Sequence, residues 1–89
     1  MDDVYGIAAY RSRQQVLMLE SALRREGVNV KIVTTPREVS MGCGLSARFE
    51  LSDAPHVART VRRMNTGNLI GLYRVEYANG RTKLSPLRA

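Results

Sequence analysis

The chain of 89 residues contains a single cysteine, Cys43. That scarcity excludes an intrachain disulfide, a Cys-x-x-Cys oxidoreductase and a four-ligand zinc site built from one chain. It also points to a reducing compartment. Tryptophan is absent, and phenylalanine and histidine occur once each. His56, alone in the first turn of an expected helix, reads as a surface or capping residue rather than a base or ligand. No nucleophile, base and orienter stand together as catalysis would require, so the reading is an accessory protein rather than an enzyme. No apolar run approaches the roughly 20 residues needed to cross a bilayer. Met1-Asp2-Asp3 is acidic where a secretory leader is basic. The expectation is a soluble, cytoplasmic protein with no membrane partner.

What the chain has in excess is arginine. Fourteen Lys+Arg against eight Asp+Glu give a formal charge of +6. The isoelectric point is about 10.3. Twelve of the fourteen cations are arginine, a residue suited to planar recognition of oxyanions. Nucleic acid is one partner class that such a balance suggests, and a merely solvated basic face is the other reading.

A chain of this length makes one domain. Val4 to Tyr10 reads as a first strand, with Tyr5, Ile7 and Ala9 on the core face. Ser12 and Gln15 form a capping-box pattern ahead of a helix from about Arg13 to Glu26, with Val16, Leu19, Ala22 and Leu23 on its apolar stripe, Met18 as core filler and Gly27 as its stop. Val28 to Val33 is a second strand, with Val28, Val30 and Ile32 inward, ended by Thr35-Pro36. Pro36 to Ser40 reads as a helical turn before the Met41-Gly42-Cys43-Gly44 corner. Leu45, Ala47, Phe49 and Leu51 alternate with polar residues in a third strand. Ser52-Asp53-Ala54-Pro55 opens a second helix, with Val57, Ala58, Val61 and Met64 inward and Gly67 closing it. Leu69 to Tyr77 is a fourth strand. Residues 78–89 show no periodicity and read as a basic, mobile tail beyond a domain of residues 1–77.

Two strand–helix–strand units of this size form an α+β, ferredoxin-like βαββαβ domain, a four-stranded antiparallel sheet with both helices on one face. The expected order is 4-1-3-2, with strands one and three central and parallel. A compact thioredoxin-like variant is the alternative. In the expected arrangement Cys43 lies near the last helical turns, which carry Arg24, Arg25, Arg62 and Arg63, with Arg37 in the adjoining loop and Arg81 and Lys83 close by. Arg48, five residues along an extended chain, is about 16 Å from Cys43 at ~3.3 Å per residue.

A thiol between Gly42 and Gly44 has no β-carbon on either side to shield it, and the flanking N–H groups can approach what the sulfur carries. The alternative reading is a small buried hydrophobe beside a flexible turn. Nearby arginines lower a thiol pKa from its usual value of about 8.5, whereas helix C-termini and acidic residues raise it.

The run Thr35-Pro36-Arg37-Glu38-x-Ser40, then Cys43-Gly44 and Arg48-Phe49, resembles the selenium/sulfur carrier protein-like family of small bacterial proteins. The likeness extends over roughly Tyr5 to Tyr77. It implies that Cys43 carries sulfur or selenium as a persulfide or selenosulfide between a donor and an acceptor protein, with no other cofactor. It marks Gly42 and Gly44 as the flanks of that thiol and Arg37 and Arg48 as motif residues of unassigned role.

Two other readings stay open. A basic RNA-binding module would work by charge alone, because the open sheet face is expected to show Ser46, Arg48 and Glu50, with Phe49 inward and only Tyr10 at the end of strand one. A regulatory domain would bind a small anion, or pair edge to edge as a homodimer through the longer, apolar fourth strand.

Overall fold

A computed structural model describes residues 3–39, 44–64 and 67–87. In chain order its elements are β1 (Asp3–Tyr10), α1 (Arg13–Arg25), β2 (Val30–Thr34), β3 (Leu45–Phe49), a short 3-10 turn (Leu51–Asp53), α2 (Ala54–Met64), β4 (Leu69–Ala78) and β5 (Arg81–Leu87). The strands form one five-stranded sheet in the order β2-β3-β1-β4-β5, every neighbouring pair antiparallel. The fold is therefore α+β with two helices, and its five strands correct the four-stranded ferredoxin-like expectation.

The fifth strand comes from the segment expected to be a mobile tail. Asn79 and Gly80 take φ of 55° and 74°, the left-handed pair that a two-residue hairpin turn demands. β5 then folds back on β4, from Arg81 opposite Ala78 to Leu87 opposite Leu72. Pro86 is tolerated because β5 is an edge strand.

Strands β1 and β3 are neighbours, but antiparallel rather than parallel. The crossover through α1 leaves β2 running with β1, and β3 then turns back against β2. This reversal governs which groups share an end of the sheet.

α1 starts at Ser12, which takes an extended cap conformation (φ −111°, ψ 126°) without the expected side-chain cap hydrogen bond. It stops as expected at Gly27, φ +82°. There the Gly27 N–H donates to Arg24 O at 3.1 Å and the Val28 N–H to Leu23 O at 2.9 Å, the two bonds of a Schellman cap. Leu23 and Val28 both enter the core, completing the apolar contact that accompanies it.

The core lies between the helices and one sheet face. Ala8, Tyr10, Val30, Ala47, Phe49 and Leu72 meet Val16, Leu19, Leu23, Val57, Ala58 and Val61. Val28, Val30, Ala47, Phe49 and the α2 stripe lie where their spacing placed them. β1 is inverted: Gly6, Ala8 and Tyr10 face the helices, and Tyr5, Ile7 and Ala9 face away. A β-carbon on Gly6 would overlap the Phe49 ring, so that ring sits where only glycine leaves room. Burial pushes the Tyr10 phenol up to about 12. Met18, expected inside, is 47% exposed on α1.

Glu26, the C-cap of α1, ties the two helices together. Its Oε1 accepts from Thr60 Oγ1 at 2.8 Å and lies 2.6 Å from His56 Nε2, while Oε2 pairs with the Arg63 guanidinium. The Thr60 hydrogen bond, then that of His56, with Arg63 adding to both, holds the Glu26 carboxyl at about 2 against an ordinary 4.5.

Candidate functional site

The antiparallel direction of β3 gives the sheet two distinct ends. Gly44 precedes β3, whose first residues lie opposite the last residues of β2 (Thr34 with Leu45) and of β1 (Ala9 with Ser46). The same end holds the start of β4, through the Arg11 N–H bonded to Asn68 O at 2.8 Å. It also holds the first turn of α1, which begins at Arg13 immediately after β1.

Four of the cations expected beside the cysteine corner are elsewhere. Arg24 Nη2 donates to Val30 O at 3.2 Å, which places the last turn of α1, with Arg25, at the opposite end. Arg81 and Lys83 pair with Ala78 and Glu76 of β4, also toward that opposite end. Arg63 is committed to Glu26. The cations at the Gly44 end are Arg37, exposed in the turn just after β2, Arg11 and Arg13 at the junction of β1 and α1, and Arg62 in the last turn of α2, which was expected there.

The ends of the connection between β2 and β3 are closed by two bonds. The Thr35 N–H donates to Gly44 O at 2.8 Å, and the Thr35 and Ser46 hydroxyl oxygens are 2.6 Å apart in a buried pair. Pro36 O accepts from the Val39 N–H at 3.0 Å, closing one turn rather than the expected helical turn, whose last residue Ser40 lies outside the described residues, and Val39 is buried. Gly44 takes φ +82° with open space around it, a conformation that selects glycine. Cys43 and Gly42, the carrier thiol and its other flank, lie with Ser40 and Met41 outside the described residues.

Arg48 is not part of that corner. It lies four residues into β3, about 13 Å from Gly44 at ~3.3 Å per residue, opposite Ile7 on one side and Lys31 on the other. Its guanidinium carbon is 3.8 Å from the centroid of the Tyr5 ring, a cation–π contact. Together with Asn29, Lys31, Glu50 and Leu51 this pair lines an open cavity of about 460 Å³. Sequence reasoning singled out Arg48 but missed this company. Lys31 and Arg48 have matched outward parity on their strands, and that was the available signal; Tyr5 was hidden by the inverted face of β1.

The sheet face away from the helices also differs from expectation. By register Tyr5 and Ile7 lie beside Val75 and Tyr73, and Tyr77 continues the row. Three tyrosines therefore join Arg48 on a face expected to offer only Tyr10, which instead faces the helices.

Among the described residues, no helix is long and apolar enough to cross a membrane, and no group of His, Cys, Asp or Glu is placed to hold a metal ion. No curated protein and no solved structure matches the chain. A family model described as "Putative Se/S carrier protein-like" matches residues 5–69, from β1 to the first residue of β4 and including the Thr35–Phe49 motif. The chain thus belongs to the Se/S carrier protein-like family.

Proposed function

We propose that this protein carries sulfur or selenium on Cys43 and passes it from a donor to an acceptor protein. The observation that carries the reading is family membership over residues 5–69 in a chain whose only cysteine falls inside the matched segment. A carrier requires one ionisable thiol and no second cysteine to discharge its cargo as a disulfide.

The exchange balances without an external oxidant. The Cys43 thiolate attacks the outer sulfur of a donor persulfide, R–S–SH. The donor S–S bond breaks, its inner sulfur leaves as a thiolate, and Cys43 becomes the new persulfide. Selenium in the outer position follows the same path. At a pKa of about 8.5 only about 3% of a thiol is thiolate at pH 7, so lowering it raises the reactive fraction. One helix start (α1) and one helix end (α2) lie toward this corner, so their dipoles oppose each other. Arg37, Arg11, Arg13 and Arg62 are the cations at this end of the sheet, the charge that would favour a thiolate there.

The test is intact mass after incubation with a persulfide donor. The parent gains the mass of one sulfur atom, the gain disappears on reduction, and Cys43→Ser gains nothing. A parent that stays unloaded beside an established carrier loaded in the same tube refutes the proposal.

The row of Tyr5, Tyr73 and Tyr77 with Arg48 favours a second reading, single-stranded RNA stacked on the helix-free face. RNA affinity that falls with salt, drops in Tyr73→Ala and is untouched by Cys43→Ser supports it.

A further inference from the structure

The cavity at the Arg48 end belongs to neither the thiol corner nor the helix core. Its walls come from the starts of β1 and β2 and the end of β3, with Tyr5, Asn29, Lys31, Arg48, Glu50 and Leu51 among the residues that line it. Lys31 and Arg48 are direct cross-strand partners on the same face. Two like charges in that register repel and destabilise the sheet. Neither makes an ion pair among the described residues, although Glu50 lines the same cavity.

The geometry points to a binding site for a small molecule that bears an oxyanion, held between Lys31 and Arg48. An anion placed there converts the repulsion into two charge-assisted hydrogen bonds. The Tyr5 ring against the guanidinium limits the orientations of Arg48, so part of its ordering cost is met before the ligand arrives. Asn29 offers an amide donor on the same rim. The volume of about 460 Å³ suits a small metabolite. The two cations outnumber the single carboxylate of Glu50, leaving the cavity one positive charge in excess.

The shared chemistry is the oxyanion, which a phosphate group or an amino-acid carboxylate supplies equally well. Glu50 separates the sources. Its carboxylate repels a phosphate but pairs with the ammonium group of a zwitterion. Glu50→Gln therefore tightens binding of inorganic phosphate and weakens binding of L-alanine. The site is independent of the thiol, because Cys43→Ser leaves it intact, so its failure and the failure of the carrier reading are separate results.

The experiment is titration of the full chain with inorganic phosphate and with L-alanine, followed by amide chemical shifts in NMR. At least one probe shifts the amides of Asn29, Lys31, Arg48 and Glu50 in a saturable way. Lys31→Gln and Arg48→Gln each weaken that probe by about tenfold, the loss expected for a hydrogen bond to a charged group. Lys31 is exposed, so Lys31→Gln keeps the fold, and Arg81→Gln is a control of equal charge that leaves affinity unchanged. The proposal is overturned if neither probe saturates, or if Arg81→Gln weakens binding as much as Lys31→Gln. It is overturned equally if both probes fail while a hexauridylate binds with a dependence on Tyr73 and Tyr77 but not on Lys31.

Discussion

Thr35 and Ser46, eleven residues apart, place their hydroxyl oxygens 2.6 Å from each other where solvent does not reach. Their contact joins the end of β2 to β3 across the connection that holds the cysteine motif. Ser46→Ala strands the Thr35 hydroxyl and costs about 1–3 kcal/mol. Thr35→Val with Ser46→Ala costs less than the sum of the single changes, because both partners are then apolar. Urea unfolding of the three variants measures the coupling; strict additivity would show that the hydroxyls do not support each other.

Glu26 makes stability depend on acid. Its folded-state carboxyl is held at about 2 against an ordinary 4.5, first by Thr60 and then by His56. Because the folded value is the lower one, the contribution is complete above about 4.5 and disappears as the pH falls toward 2. Parent and Glu26→Gln should differ most in thermal midpoint near pH 6 and converge between pH 4.5 and 2. A gap that stays constant over that range contradicts the linkage.

Gly6 sits beneath the Phe49 ring, and any β-carbon there meets the ring itself. Phe49 is 1% exposed and has nowhere to go. Gly6→Ala is expected to cost about 1–3 kcal/mol by overpacking. Pairing it with Phe49→Leu recovers part of that loss, which a double-mutant cycle in urea detects as a favourable coupling.

The Asn79–Gly80 turn holds β5 onto β4. Gly80, at φ +74°, loses about 1 kcal/mol on replacement by alanine, the cost of a β-carbon in the left-handed region. Amide exchange of Arg74 and Glu76, whose N–H groups face β5 in the register set by the Ala78–Arg81 pair, should quicken in Gly80→Ala while Ala47 and Phe49 stay protected. Uniform quickening would mean that the hairpin and the rest of the sheet open together.

Where a residue pattern had one interpretation, it was legible. The Arg13–Arg25 helix with its Gly27 stop, the inward Val30 and the alternation of Ala47 and Phe49 all follow from period and cap chemistry. β1 was misread because a central strand is buried on both faces, so Ile7 and Ala9 are as fully enclosed as Ala8 and Tyr10. Bulk suggested that Ile7 faces the helices, yet the helix side needs the small residues Gly6 and Ala8. β5 lacks hydrophobic alternation, but Asn79-Gly80 was a hairpin signal in plain view. The candidate site was legible as a motif and not as a place. The nearness of Arg37 and the distance of Arg48 followed from chain length alone, whereas Arg24, Arg25, Arg81 and Lys83 were misplaced because β3 runs against β1.

That direction also makes the molecule bipolar. The glycine corner stands at the start of β3 and the Tyr5–Arg48 cavity at its end. The partner contact and the oxyanion site proposed above therefore fall at opposite ends of β3, about 13 Å apart along the strand at ~3.3 Å per residue.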